Sequence, residues 1–287
     1  MQQVQQVLVA VDMSAMASEA LKRAIAIARE KEAQLIVIHV IEPLFVESPL
    51  AKTADKETIR QELVKLIDQH NAEAGVEYML FVENGKAAET IMLTIKKTQI
   101  DLIVVGSHGK DDVDSKYFGS TTLKLIQSTK IPVLIVKNRI KGAYRHMLAP
   151  TNLSVHSRES VLFANTLFAD ASRKYLYAYE TISKAQAMTY HFSEEEAKTF
   201  RAQKRSIAKM ALETFVQAVG PGEMALIDYC ASVNEDLLDY VVNANADLLV
   251  LGSKGVENLN SFVFGSTASY LVQRSPIDVL VYVPSKT

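Results

Sequence analysis

Residues 106–121 read GSHGKDDVDSKYFGST and residues 252–267 read GSKGVENLNSFVFGST, one glycine spacing met twice, 146 positions apart. Each copy follows a short apolar run, DLIVVG at 101–106 and DLLVLG at 247–252. Each is followed by another, IPVLIV at 131–136 and IDVLVYV at 277–283. A repeat that keeps its apolar runs and its glycines while the residues between them drift implies two copies of one supersecondary arrangement rather than one large core. The length of 287 residues agrees, since domains usually run to roughly 100–150 residues.

The remaining pattern fills in both copies. Val7 to Val11 (VLVAV) is continuously apolar and β-branched, as expected of a strand covered on both faces in a parallel sheet. Asp12 ends it. From Ser14 the apolar residues Ala17, Leu21, Ala24, Ile25 and Ala28 recur at helical spacing. LIVIHV (35–40) reads as a second buried strand, 56–74 as an amphipathic helix, YMLFVE (78–83) as a third strand and 86–97 as a helix. DLIVVG, the glycine loop, a helix near 120–129 and IPVLIV close the first half. The second half repeats this order with MLAPTNLS (147–154), helix 157–169, strand 174–180, a long helix 193–218, strand 225–230, helix 234–243, DLLVLG, the second loop and IDVLVYV. Alternating βα order predicts an α/β fold with a parallel sheet and right-handed crossovers in each half. The polar stretch NRIKGAYRH (138–146) marks the boundary, giving domains 1–140 and 141–287.

Charge and composition exclude several functions. With 31 Lys and Arg against 33 Asp and Glu there is no general attraction to phosphate backbones, so nucleic acid is not expected as a partner. The start MQQVQQVLVAVD runs straight into a strand pattern, and no apolar run approaches the ~20 residues that span a bilayer, from which we expect a cytoplasmic protein with no membrane partner. The one cysteine, Cys230, cannot form an internal disulfide and is expected to be a buried small side chain. Histidines at 39, 70, 108, 146, 156 and 191 lack metal-site spacing, so no metal is predicted.

The glycine loops sit where open α/β sheets place their ligands, after the carboxyl end of a buried strand and before a helix. Gly106, Gly109, Gly119 and Ser120 recur as Gly252, Gly255, Gly265 and Ser266. Glycine permits close backbone approach and positive φ, and the helix opened by Gly-Ser-Thr offers free N–H groups to an anion, above all a phosphate. The plainer alternative is a pair of glycine turns with Ser120 and Ser266 as helix N-caps. Asp12 divides the same way, either a cap for the first helix or an acceptor for ribose hydroxyls.

The strand ending in Asp12, with G-x2-G-x9-G-S followed by IPVLIV, resembles the universal stress protein family, here as a tandem of two domains covering nearly the whole chain. That resemblance implies two five-stranded parallel-sheet domains of the Rossmann-like, adenine nucleotide alpha hydrolase-like kind, and ATP or another adenine nucleotide as ligand. It would set Asp12 at the ribose, the backbone of Val40 at the adenine, and Gly106, Gly109, Gly119, Ser120 and Thr121 at the ribose and phosphates, with His108 near the phosphates. The second copy has Asn152 for the aspartate and Ala178 opposite Val40, beside Gly252, Gly255, Gly265, Ser266 and Thr267, so its site is expected to be weaker. Lys254, at the place of His108, is either a phosphate ligand or a solvated loop charge. Single-domain members dimerise through the last strand, so the two halves are expected to pack as a pseudo-dimer, with a further homodimer left open.

No G-x4-G-K-[ST], G-x-S-x-G or G-x-G-x-x-G of the strand-to-helix kind is present, so fast turnover and dinucleotide chemistry are not expected. Three functions stand: a non-enzymatic adenine-nucleotide-binding stress protein, a stress-associated interaction protein whose crevice is empty or takes another small ligand, and a slow ATP hydrolase.

Overall fold

A computed structural model describes residues 3–42, 55–109, 119–252 and 265–282, which form two compact units, one up to Ala143 and one from Tyr144 onward. In chain order the first unit contains β1 (Gln6–Ala10), α1 (Ala15–Lys31), β2 (Gln34–Ile41), α2 (Lys56–Asn71), β3 (Tyr78–Asn84), α3 (Ala87–Lys97), β4 (Leu102–Gly106), α4 (Ser120–Ser128) and β5 (Val133–Val136). Its strands lie in the order β3-β2-β1-β4-β5, all parallel. The second contains β6 (His146–Thr151), α5 (Val155–Leu167), β7 (Ser172–Glu180), α6 (Lys184–Thr189), α7 (Glu194–Val219), β8 (Glu223–Tyr229), α8 (Val233–Asn243), β9 (Leu248–Gly252), α9 (Ser266–Arg274) and β10 (Asp278–Tyr282). Its order, β8-β7-β6-β9-β10, is the same topology.

The continuous apolar runs take the central positions because both faces there are covered by helices. Val7, Leu8 and Val9 of β1 are fully buried between the registers Val9–Val37 and Val9–Val104. Ala17, Ala20, Leu21 and Ala24 line the buried face of α1, where the small alanines let the helix lie close on β1 and β4. Truncating a fully buried leucine such as Leu8 or Leu21 to alanine costs about 2–5 kcal/mol at such a site.

Both units enter their first helix through one turn. Met13 (φ 66°) and Leu153 (φ 63°) are non-glycine residues in the left-handed region, and in each case a side chain two residues apart bridges the bend. Asp12 Oδ1 accepts from the Ser14 N–H at 3.0 Å, and Asn152 Oδ1 from the Ser154 N–H at 3.1 Å. The helix cap is the next residue, Ser14 accepting from Ala17 N–H and Ser154 from Ser157 N–H. The capping option for Asp12 is thus filled by Ser14.

Behind β5 the chain is fastened to α1. Glu19 accepts from Lys22 Nζ at 2.7 Å and from Ile140 N–H at 2.9 Å, and Arg23 donates to the Gly142 carbonyl at 2.7 Å. Burial pushes the Glu19 carboxyl up, but the hydrogen bonds from Lys22 and Ile140 and the charges of Lys22 and Arg139 outweigh it and hold the group below its ordinary value.

Two local expectations are corrected, and a helix is present that the sequence reading did not include. Helix α6 precedes α7, set off by a capping box in which Ser183 and Gln186 satisfy each other's backbone N–H groups. Met188 within it and Tyr190 at its C-cap stand 76% and 66% exposed. Cys230 is half-buried rather than buried, because it follows β8, the outermost strand of its unit beside β7, whose residues are mostly half-exposed. Strand β1 ends at Ala10 rather than Val11, for a reason that belongs to the site.

Candidate functional site

In the order β3-β2-β1-β4-β5 the direction of winding reverses between β1 and β4, and the carboxyl ends of those strands part to leave a crevice. Its volume is about 510 Å³, within the range of small-molecule sites. Asp12, Val40, Gly106, His108, Gly109, Gly119, Ser120 and Thr121 all line it. The walls also include Ile38, Ala87 and Ile91, apolar residues suited to a flat ring, together with His39 and Glu42. Glu42 Oε1 accepts from the Ala87 N–H at 2.6 Å and so caps α3 at the rim.

The glycines serve different ends. A Cβ on Gly106 would lie 3.1 Å from the backbone carbonyl carbon of Met16, so this glycine lets the end of β4 pack on the first turn of α1. Gly252 repeats the relation, with the His156 carbonyl oxygen at 3.1 Å. At Gly109 the obstacle would be Asp12 Oδ2, at 2.7 Å, so here the absent side chain makes room for the carboxylate. None of these glycines has positive φ, and close approach rather than backbone freedom explains them.

The N-caps of α4 and α9 are Gly119 (φ −56°) and Gly265 (φ −60°), with Ser120 and Ser266 as the first helical residues, so the reading of the two serines as caps is corrected. Among the described residues no side chain caps either helix, and the first-turn N–H groups point out of the helix end. Thr122 Oγ1 donates to the Gly106 carbonyl at 3.0 Å, and the Gly119 N–H donates to the Ser107 carbonyl at 3.1 Å, tying the start of α4 to the end of β4. His108 Nδ1 lies 2.8 Å from Ser107 Oγ.

The base end of the crevice depends on where β1 stops. Gln34 N–H donates to the Gln5 carbonyl and Val11 N–H donates to the Ile38 carbonyl, so the even-numbered residues of β2 turn their backbone groups toward β1. Val40 would come next, with its N–H on the Val11 carbonyl. That carbonyl instead accepts from the buried His39 ring, Nδ1 to oxygen 2.6 Å, and the ladder ends at Ala10–Ile38. The N–H and C=O of Val40 therefore face the crevice, outside the β1 ladder.

The second copy differs here. Tyr177 stands where His39 does, and the register of β6 with β7 continues one pair further, to Thr151–Tyr177. By the same alternation this extra pair engages the Ala178 N–H with the Thr151 carbonyl. Asn152 keeps the bridge of Asp12 without its charge, and Gly252, Gly265, Ser266 and Thr267 occupy the same places as their counterparts at the end of β9 and the start of α9. Lys254 and Gly255 lie outside the described residues.

His39 and Glu42 escaped the motif-based reading. The available signal was an imidazole inside the apolar run LIVIHV, since a polar side chain in a buried strand needs a partner. Among the described residues no group of three or more His, Cys, Asp or Glu side chains is arranged to hold a metal ion, and no helix is long and apolar enough to cross a membrane.

Comparison with known proteins agrees with the duplicated architecture. The model of the universal stress protein family matches residues 3–137 and again 143–283. Universal stress protein YxiE of Bacillus subtilis is 32% identical over 143 residues, 45% of this chain and 97% of that protein. Universal stress protein MJ0531 of Methanocaldococcus jannaschii is 31% identical over 137 residues, 46% of this chain and 81% of that protein. The crystal structure of a universal stress protein from Archaeoglobus fulgidus has the same fold, with a TM-score of 0.64 at 17% identity over 98% of this chain and 99% of that one. Two family matches that together span almost all 287 residues make this chain a member of the universal stress protein family, built as a tandem of two such domains.

Proposed function

We propose that the first repeat binds ATP or a related adenine nucleotide, and that the protein serves the stress response through this binding rather than through fast catalysis. The observation that carries the proposal is the crevice of about 510 Å³, in which an acidic side chain, an open backbone donor–acceptor pair and the glycine-led start of α4 lie along one cleft. Val40 would meet the adenine edge between Ile38, Ala87 and Ile91, and Asp12 the ribose hydroxyls. The loop Gly106–Gly109 and the N–H groups of Ser120 and Thr121 would hold the phosphates, helped by the positive end of the α4 dipole.

Slow or absent turnover fits the engagement of the polar groups. Asp12 bridges the turn before α1, Glu42 caps α3 and His108 is paired with Ser107, so each has a structural duty that competes with activating water. Asn152 and the engaged Ala178 N–H favour a second site that is weaker. The protein is proposed to be cytoplasmic and to need no metal of its own.

Native mass spectrometry of the protein as purified tests this. The expected result is ATP, ADP or AMP retained by the folded chain, or taken up on addition. A folded chain that carries none and ignores millimolar ATP would favour instead an interaction protein whose crevice is empty.

A further inference from the structure

We propose that His39 sets the base preference of the first crevice, selecting a 6-aminopurine over a 6-oxopurine. This rests on the nucleotide-binding proposal above and adds to it a residue and a discrimination. The ring is only 8% exposed, and its Nδ1 lies 2.6 Å from the Val11 carbonyl oxygen. A carbonyl only accepts, so Nδ1 carries the hydrogen, and in the neutral ring Nε2 is an acceptor. Nε2 has no partner among the described residues, and His39 lines the crevice. A ring held on one side by the backbone and open on the other presents a fixed acceptor to whatever lies beside Val40.

The same hydrogen bond has a second effect. By occupying the Val11 carbonyl, His39 ends the β1–β2 ladder at Ala10–Ile38 and leaves the Val40 N–H and C=O as an adjacent donor and acceptor on one edge. That pair complements the N1 acceptor and 6-amino donor of adenine. It opposes the N1–H donor and 6-oxo acceptor of hypoxanthine or guanine. Nε2 supplies a further acceptor for the amino group and would face a lone pair on a 6-oxo base. In the second repeat Tyr177 replaces the histidine and the ladder runs on to Thr151–Tyr177, so the two repeats show the arrangement with and without the imidazole.

Calorimetric titration of the full chain with ATP and with inosine 5′-triphosphate, which differ at this edge of the base, tests the proposal. The wild type is expected to prefer ATP by about tenfold or more, the scale of one hydrogen bond made against one acceptor left unpaired. His39→Leu should bring the two affinities within about twofold of each other, mainly by weakening ATP. His39→Gln, whose amide can still donate to Val11, should keep a preference for ATP. A purely structural role would weaken both nucleotides alike and leave their ratio unchanged. Nitrogen-15 NMR of the wild-type histidines needs no variant to fold: the Nε2 resonance of His39 should shift with ATP and stay in place with the inosine nucleotide. Equal wild-type affinities, an unchanged ratio in folded His39→Leu, or an unmoved Nε2 resonance would overturn the role of His39 while leaving nucleotide binding intact. A wild type that takes neither nucleotide would remove the nucleotide-binding proposal and this one with it.

Discussion

The carboxylate of Asp12 fills the space that a side chain at Gly109 would need, with Oδ2 2.7 Å from the position of a Cβ there. The end of β1 and the glycine loop after β4 are thereby fitted to each other across the crevice. Because the obstacle is the end of a flexible side chain, Gly109→Ala should fold normally, with an unfolding midpoint within a degree or two of wild type by the usual scale for a surface substitution. It should nonetheless turn the Asp12 carboxylate aside and weaken nucleotide binding about tenfold, as loss of one charged hydrogen bond would. Thermal unfolding and titration of the same preparation separate the two effects.

Gly106→Ala and Gly252→Ala should behave in the opposite way. There the added methyl meets backbone, Met16 in the first unit and His156 with Ser157 in the second, at 3.1–3.3 Å. Either the end of the strand or the helix turn must move, which costs about 1–3 kcal/mol. Urea unfolding should show that loss for each variant, whether or not nucleotide is present.

Glu19→Gln should destabilise the first unit by about 1–2 kcal/mol at pH 7, through loss of charged hydrogen bonds to Lys22 and Ile140. The Glu19 carboxyl is held below its ordinary value in the folded chain, so its contribution is complete above the unfolded carboxyl value, about 4.3, and fades as pH falls through the lower folded value. The gap between wild type and variant in urea midpoint should therefore close on acidification below about pH 4. A gap that persisted unchanged at pH 2.5 would show that packing, not charge, holds the segment after β5.

Much of this was legible in the sequence because the signals are local or repeated. VLVAV, DLIVVG and IPVLIV are strands whose burial on both faces forces continuous apolar runs, and the two copies of the loop fixed the equivalences Gly106 with Gly252 and Gly119 with Gly265. The duty of Gly106 was not legible, because the Met16 backbone it accommodates lies 90 positions away in the chain. Nor was that of His39, since the Val11 carbonyl is brought to it only by strand pairing. Helix α6 has six residues, too few to show a helical period, although S-x-x-Q at 183–186 announced its start. Ser120 and Ser266 looked like caps from residue type alone, but whether a serine falls at the cap or one residue inside depends on backbone geometry at the preceding glycine.

The two repeats should differ in affinity, and one substitution should narrow the gap. Asn152 already bridges the turn as Asp12 does, so Asn152→Asp restores a charged acceptor in place. Charged hydrogen bonds contribute about 1.5–3 kcal/mol against about 0.5–1.5 for neutral ones. Binding at the second repeat should thus tighten about tenfold, visible in calorimetry as a second phase moving to lower ATP concentration while the first is unchanged. If the only phase affected were the tight one, the ranking of the repeats would be reversed.

Titration of the wild-type chain and of Asp12→Ala with ATP, in one buffer and with refolding competence checked by unfolding, tests the central claim most directly. The predicted result is a saturable tight phase in the wild type that weakens tenfold or more in Asp12→Ala, on the scale of a lost charged hydrogen bond, with the unfolding midpoint little changed. The contradictory result is either no binding to folded wild-type protein or a tight phase that survives the loss of the Asp12 carboxylate at full strength.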